Sequence, residues 1–248
     1  MTALNGTKPL IGLSVAREIA PDGIQRDFVR STYLDAIRLA GGIPVLLANI
    51  PESQDTFKQC HGLLLTGGGD FDPRRYGEGD QGTKWDGVSQ DRDEAELLLI
   101  QTAYSLAMPV LGICRGIQAL AVASDGTLVQ DIPKRYPSSP IQHFQALPRQ
   151  EVTHVVNIEQ SSRLAEILGA HKVRVNSFHH QAVNMVPPHW IVSARAEDGL
   201  IEGMERPDYS YAIGVQWHPE DLVNGHHEAR QLFNSFVHAA RSYQEAHD

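Results

Sequence analysis

Pro109-Val110-Leu111-Gly112-Ile113-Cys114-Arg115-Gly116-Ile117-Gln118-Ala119-Leu120 changes character halfway along. Its first half is a short apolar run, the pattern of a strand buried on both faces. Its second half, with Ile117, Leu120 and Ala121 at helical spacing, reads as a helix. Cys114 stands at the junction, between Gly112 and Gly116. This G-x-C-x-G pattern is the cysteine counterpart of the serine nucleophile elbow, a sharp strand-to-helix turn that lifts a nucleophile above the sheet edge. The glycines let strand and helix approach closely, and a helix N-terminus favours the thiolate. A lone cysteine is more often buried and inert. The paired glycines are what argue for the working reading.

Upstream lie three more short apolar runs, Lys8 to Val15, Ile43 to Leu47 and Gly62 to Thr66. Between them the spacing predicts a helix from Phe28 to Ala40, stopped by Gly41-Gly42, and a weak helix from Pro51 to Gln59. Asp91 to Ala107 reads as a strong helix with an acidic first turn, which suits the helix dipole. The alternation predicts a parallel sheet with helices on both faces, and ligands at the carboxyl ends of its strands. Gly67-Gly68-Gly69 and Cys114 both fall at such ends. The long stretch Phe71 to Gln90 is a candidate lid. Downstream, strands are expected at Thr127 to Ile132, Thr153 to Glu159 and Lys172 to Val175. Trp190 to Ala196, Leu200 to Glu205 and Tyr211 to Trp217 follow at hairpin-like spacing, and Glu228 to Ala246 closes the chain as an amphipathic helix. No linker or internal repeat is visible, so residues 1–248 read as a single domain.

The 248 residues carry a formal net charge of −9. That argues against nucleic acid or an anionic membrane as the main partner, since both need a basic face. No apolar run reaches the length of a membrane span. Met1 to Lys8 is polar and lacks an apolar signal core. Cys60 and Cys114 are too few for a disulfide framework, and a reducing cytoplasm is the expected compartment. Twelve histidines are present, but no H-E-x-x-H or paired C-x-x-C. His179-His180 and His226-His227 are adjacent pairs that do not share a helix face, so no metal is expected.

A nucleophilic cysteine needs a base, and the base needs an orienting acceptor. His218 ends the apolar run Tyr211 to Trp217, and Glu220 follows two residues on. If Pro219 keeps the segment extended, both side chains point the same way. Gly112-Ile113-Cys114-Arg115-Gly116-Ile117-Gln118 together with Gln216-Trp217-His218-Pro219-Glu220 resembles the class I glutamine amidotransferase superfamily. Thr66 to Pro73, Tyr76-Gly77-Glu78, Arg92-Asp93-x-x-Glu96 and Asn176-Ser177-Phe178-His179-His180-Gln181 are similar to its γ-glutamyl-γ-aminobutyrate hydrolase branch, the peptidase C26-like hydrolases. The resemblance spans nearly the whole chain. It implies a flavodoxin-like α/β three-layer sandwich, its central sheet mainly parallel with an added C-terminal antiparallel portion. It implies a catalytic triad of Cys114, His218 and Glu220, and an oxyanion hole near Gly68, Gly69 and Arg115. It places Gln118, Asn176, Ser177, His179, His180 and Gln181 on the substrate side.

The implied reaction is hydrolysis of a small γ-glutamyl amide from polyamine breakdown, with no cofactor and a possible homodimer. Arg115 favours a stand-alone hydrolase, because glutaminase subunits that feed a synthase usually carry Leu there. Ala121 and Asp125 depart from the family pattern, which commonly has Asn and a Gly-Gly-Thr run at these places. An ammonia-supplying glutaminase and a catalytically silent binding protein on the same fold are the alternatives.

Overall fold

The structure, a computed structural model, describes residues 7–247; of the polar leader Met1 to Lys8, residues 1–6 lie outside the described residues. The chain opens with β1 (Leu10–Ser14), a hairpin of β2 (Ala16–Ile19) and β3 (Gln25–Phe28), α1 (Ser31–Leu39) and β4 (Ile43–Leu47). Then come α2 (Ser53–Phe57), β5 (Gly62–Leu65), α3 (Gln90–Ser105), β6 (Val110–Ile113) and α4 (Arg115–Val122). β7 (Thr127–Val129), α5 (Ile132–Arg135), β8 (His154–Ile158), α6 (Arg163–Leu168), β9 (Lys172–Val175) and β10 (Ala182–Met185) follow. β11 (Ile191–Ala196), β12 (Ile201–Glu205), β13 (Ala212–Val215) and α7 (His227–His247) complete it.

Nine strands form one sheet in the order β4-β1-β5-β6-β13-β12-β11-β8-β9. The first five run parallel, and β12, β11, β8 and β9 extend the sheet antiparallel. The period of two along the strands sorts side chains into two cores. Leu64, Leu111, Ile113, Ile213 and Val215 join the layer of α1, α6 and α7, where Ile37, Leu164, Leu232 and Phe236 are buried. Leu63, Leu65 and Val110 face the layer of α2, α3 and α4, with Phe57, Leu99, Ile100, Ile117 and Leu120. This is the three-layer α/β sandwich that the alternation of runs implies. Among the described residues no helix is long and apolar enough to cross a membrane.

The helix ends follow local chemistry. Ser89 caps α3, accepting from Arg92 N, and Ser162 caps α6, accepting from Ala165 N at 3.0 Å. Gly169 closes α6 with φ of 64°. Asp125 takes φ of 70° at the turn after α4, a conformation that Asp tolerates.

Two expectations need correction, and one apolar run takes an edge position. The helix expected from Phe28 begins at Ser31; Phe28 ends β3, whose pairing with β2 is closed by the turn around Pro21-Asp22-Gly23. That hairpin was hidden because charged Arg17, Glu18, Arg26 and Asp27 fill the middle of both strands and no polar–apolar alternation shows. The run Ile43 to Leu47 is the expected strand, but apolar as it is, it forms the sheet edge as β4: Ile43 and Leu46 are 42% and 51% exposed, and Pro44 is tolerated because an edge strand can spare an N–H. The stretch 71–90 does not cover Cys114, for none of its residues lines the cavity there. It is tied down by its own Asp80 and by Gln130 from beyond β7. The Asp80 carboxylate accepts from Gly82 N, Thr83 N and Trp85 Nε1, while Gln130 Oε1 accepts from Gln81 N and Thr83 Oγ1.

At the elbow, a Cβ on Gly112 would lie 2.6 Å from the carbonyl carbon and oxygen of Gly116, both backbone atoms that cannot swing away. Gly112→Ala is therefore expected to destabilise the fold by on the order of 1–3 kcal/mol. Urea denaturation checks this, and an unchanged midpoint would show that the contact carries no strain.

Candidate active site

Two neighbouring parallel strands deliver the central pair. β6 and β13 pair with Ile113 opposite Val215. Cys114 follows β6 directly, and His218 lies three residues beyond β13. The Cys114 N–H donates to Val215 O at 2.8 Å, which fixes the turn against the strand carrying the histidine. Cys114 itself sits at φ 56° and ψ −104°, outside the ordinary regions for a residue with a Cβ. The elbow read from the glycine spacing is thus present, strain included.

Glu220 reaches His218, but by another route than the extended segment expected. Pro219–Asp221 form a turn of 3-10 helix, and within it Glu220 Oε1 lies 2.7 Å from His218 Nδ1. A carboxylate only accepts, so Nδ1 carries the proton and Nε2 turns toward Cys114. Both backbone groups of His218 are held by one side chain: His218 N donates to Asn176 Oδ1 at 2.9 Å, and Asn176 Nδ2 donates to His218 O at 3.0 Å. Burial opposes a charge on His218, yet Glu220 and Cys114 outweigh it and raise its pKa to about 10. The imidazolium is therefore the form present at neutral pH.

The glycine loop closes the third side. A Cβ on Gly67 would meet His218 Cε1 and Tyr33 Oη at 2.9 Å and Cys114 Cβ at 3.5 Å, so only glycine leaves these groups in contact. Gly67 N donates to Tyr33 Oη at 2.9 Å. Burial, reinforced by Glu220 and Cys114, pushes the Tyr33 hydroxyl well above its usual pKa, so it stays protonated. Arg92 Nη2 donates to the carbonyls of Thr66 and Gly67, both at 3.0 Å, and Arg92 Nε to Glu96 Oε1 at 2.8 Å. Arg115 completes this network with Glu96 and Asp93, its guanidinium 4.0 Å over the Phe71 ring. Burial opposes the charge on Glu96, but Arg115 and Arg92 outweigh it and hold the carboxyl below its ordinary range.

A cavity of about 210 Å³ opens over Cys114 and His218, lined also by Arg30, Tyr33, Gly68, Arg149 and Phe178. Arg30 pairs bidentately with Asp221 at 2.6 and 3.0 Å, and Arg149 Nε donates to the same carboxylate at 2.7 Å. Arg149 also stacks over Phe178 at 4.1 Å. Two guanidinium groups thus face a small space beside a thiol and an imidazole.

Of the expected site residues, Cys114, His218, Glu220, Gly68 and the start of α4 at Arg115 come together here. Gly69 backs onto Gly87, whose backbone a Cβ on Gly69 would strike. The six residues expected on the substrate side do not line the cavity. Gln118 donates to Gln181 O at 3.2 Å and Gln216 Oε1 at 3.3 Å. Ser177 donates to His143 O, His180 pairs with Asp70 at 2.7 Å, and Gln181 donates to Gln130 O. His179 turns into a separate buried group, and Asn176 acts through His218. Of the segment 176–181, quoted from the sequence for the substrate side, Phe178 is the residue that lines the cavity, while Arg30 and Arg149 had no sequence signal and Tyr33 was given no role at the site. Tyr33 read as an ordinary core position of a helix, and its hydroxyl was the one available signal.

Comparison with known proteins bears on the family and the fold. The sequence model of the Peptidase C26 family matches residues 9–220. A glutamine amidotransferase-like protein of Rickettsia prowazekii is 35% identical over 257 residues, covering 86% of this chain and 89% of that protein. The γ-glutamyl-γ-aminobutyrate hydrolase of Escherichia coli K12 is 30% identical over 244 residues, covering 95% and 94%. The fold also matches a GMP synthase component from Thermoplasma acidophilum, with a TM-score of 0.67 at 18% identity over 97% of this chain and 98% of the other. The elbow, the sheet and the matched length place the chain in the Peptidase C26 family of glutamine amidotransferase-like hydrolases.

Proposed function

We propose that the protein hydrolyses a γ-glutamyl amide, of which γ-glutamyl-γ-aminobutyrate is the leading candidate, through a Cys114-His218-Glu220 triad. The observation that carries the reading is the strained Cys114 turn, held against the strand that presents a histidine oriented by Glu220. The named relative at 30% identity supports the substrate class. The Cys114 thiolate attacks the γ-carbonyl carbon. The developing oxyanion faces the amides of Gly68 and Arg115; the latter, as the first helical N–H, has no intrahelical acceptor. His218 gives its proton to the leaving amine, and the C–N bond breaks to leave a γ-glutamyl thioester. Water then attacks the thioester while His218 takes its proton, and glutamate leaves as the thiolate is restored. Glu220 keeps the imidazole in the required tautomer throughout.

Arg149 gives the cavity its substrate preference. Its Nε is taken by Asp221, while its planar end faces the cavity, a geometry suited to a carboxylate. The glutamyl group carries such a carboxylate close to its γ-amide. Arg149→Met is expected to raise KM for a γ-glutamyl amide at least tenfold with a smaller change in kcat, measured by glutamate release.

Cys114→Ala should abolish glutamate release from a panel of γ-glutamyl amides that includes glutamine, while the circular dichroism stays that of the parent. Turnover of the panel without an added partner distinguishes the hydrolase from a glutaminase that waits for a synthase. Near-normal release by the alanine variant would remove the nucleophile assignment.

The pH profile tests the Glu220 role with a sign. His218 is raised above its usual value of about 6.5 to about 10. The protonated form is thus complete on the acid side and lost as pH climbs through about 10, where kcat should fall because the leaving amine loses its proton donor. Glu220→Gln removes the strongest of the charges that raise it, so this alkaline limb should move to lower pH. A limb that stays in place would mean that another group sets it.

A further inference from the structure

A second group of buried titratable side chains, which the proposed reaction does not use, gathers around Glu202. Glu202, on β12, is fully buried. Its Oε1 lies 3.2 Å from His143 Nδ1, 3.4 Å from His154 Nε2 and 3.4 Å from His179 Nε2. All four side chains are more than nine-tenths buried. None of these nitrogens, and neither Glu202 oxygen, makes a directed hydrogen bond among the described residues. Buried polar atoms left so are rare and each calls for a partner.

The outward nitrogens say which partner. His179 Nδ1 lies 2.9 Å from Gln181 O, and His143 Nε2 lies 2.9 Å from Asp198 Oδ2. Both of these oxygens only accept, so both contacts take the ring proton. Neutral rings then aim their lone pairs, from His179 Nε2 and His143 Nδ1, at a carboxylate. Such an arrangement repels unless a cation, or a second proton on one of the rings, stands among them. A backbone carbonyl or carboxylate behind each imidazole is also the usual support of a metal-bound histidine.

We propose that His143, His154, His179 and Glu202 bind a divalent transition-metal cation of the zinc class, as a closed structural site. The atoms of His143, His154 and Glu202 lie within 4.8 Å of one another, and His179 adds a fourth donor to the same carboxylate oxygen. For metal–ligand bonds of about 2.0–2.1 Å, the edge of a tetrahedron is about 3.3–3.4 Å. The three separations from Glu202 match that edge. Three imidazoles and one carboxylate suit zinc better than calcium or magnesium, which take oxygen ligands. The four ligands come from the loop before β8, from β8, from the loop after β9 and from β12. The ion would therefore tie together the antiparallel half of the sheet and the segment 176–181, whose first residue holds His218.

Metal content tests this in the full wild-type chain and in Cys114→Ser, which removes the thiolate as a competing ligand. The chain is stripped with a chelator, given Zn(II), freed of excess and read by plasma mass spectrometry. Roughly one equivalent should remain in both, Co(II) should give the absorption of a tetrahedral site without thiolate charge transfer, and His154→Gln or Glu202→Gln should bring the content near zero. Should those variants fail to fold, the stripped wild-type chain carries the test, with Zn(II) raising its melting temperature and chelator reversing the rise. No retained zinc and no thermal shift would overturn the proposal. So would zinc kept equally in both variants, since it would then sit elsewhere, as at His218, Glu220 and Asp221.

Discussion

Glu96 stands between two guanidinium groups, with one oxygen toward Arg92 and the other toward Arg115. All three side chains are buried, and Asp93 on the next turn of α3 balances the charge. Two cations and two anions sum to zero, which is the condition under which so many charges can leave water. Removing one member of such a group costs about 3–5 kcal/mol, because it strands the others. The network does more than cancel itself. Arg92 also donates to the carbonyls of Thr66 and Gly67, so the loop after β5 is fixed by the same group that fixes the first turn of α4. Loop amide and elbow amide are thereby held in one frame.

This gives Arg115 a physical task. Its backbone opens α4 beside Cys114, while its side chain runs back into α3 and lies over Phe71. A leucine could fill the volume but could not close the charge balance left by Asp93 and Glu96. The residue after the nucleophile is therefore coupled to the two acids of α3, and the three form one unit. Ala121, fully buried on the core side of α4, offers no polar atom, and the turn behind it is closed instead by backbone, Gly126 N donating to Ala121 O at 2.8 Å.

The local motifs were legible because each is contained in a few consecutive residues. A strand, two glycines and a cysteine specify the elbow; a histidine with a glutamate two residues on specifies its partner, although a 3-10 turn and not an extended segment brings them together. The apolar runs of β1, β5, β6 and β13 were legible because burial on both faces leaves no polar positions. What was not legible is convergence from loops. Arg30 and Arg149 lie far apart in sequence and follow no periodicity, so nothing local marks them as neighbours of each other or of Phe178. The acidic first turn of α3 shows the same limit. Asp91 suits the helix dipole and lies toward solvent, as composition suggests, whereas Asp93 and Glu96 turn inward to the arginines. Spacing alone does not separate the two kinds. His143, His154, His179 and Glu202 are harder still, being spread over four elements.

The strained turn at Cys114 has to be held by its surroundings, since a residue in a sparsely populated backbone region costs of order 1–3 kcal/mol. Three restraints meet there. Gly112 and Gly116 remove the Cβ atoms that would push strand and helix apart. The Cys114 N–H is taken by Val215, so relaxing the turn would also break a bond to β13. α4 is buried along its whole length, with Ile117 and Leu120 locked in the core beneath the sheet, and cannot rotate to release φ. Because the bond to Val215 joins the two strands that carry Cys114 and His218, the force that keeps the turn strained also sets the register between thiol and imidazole. The cost of the turn is thus borne by the same contacts that align the pair, and neither could be relaxed without losing the other.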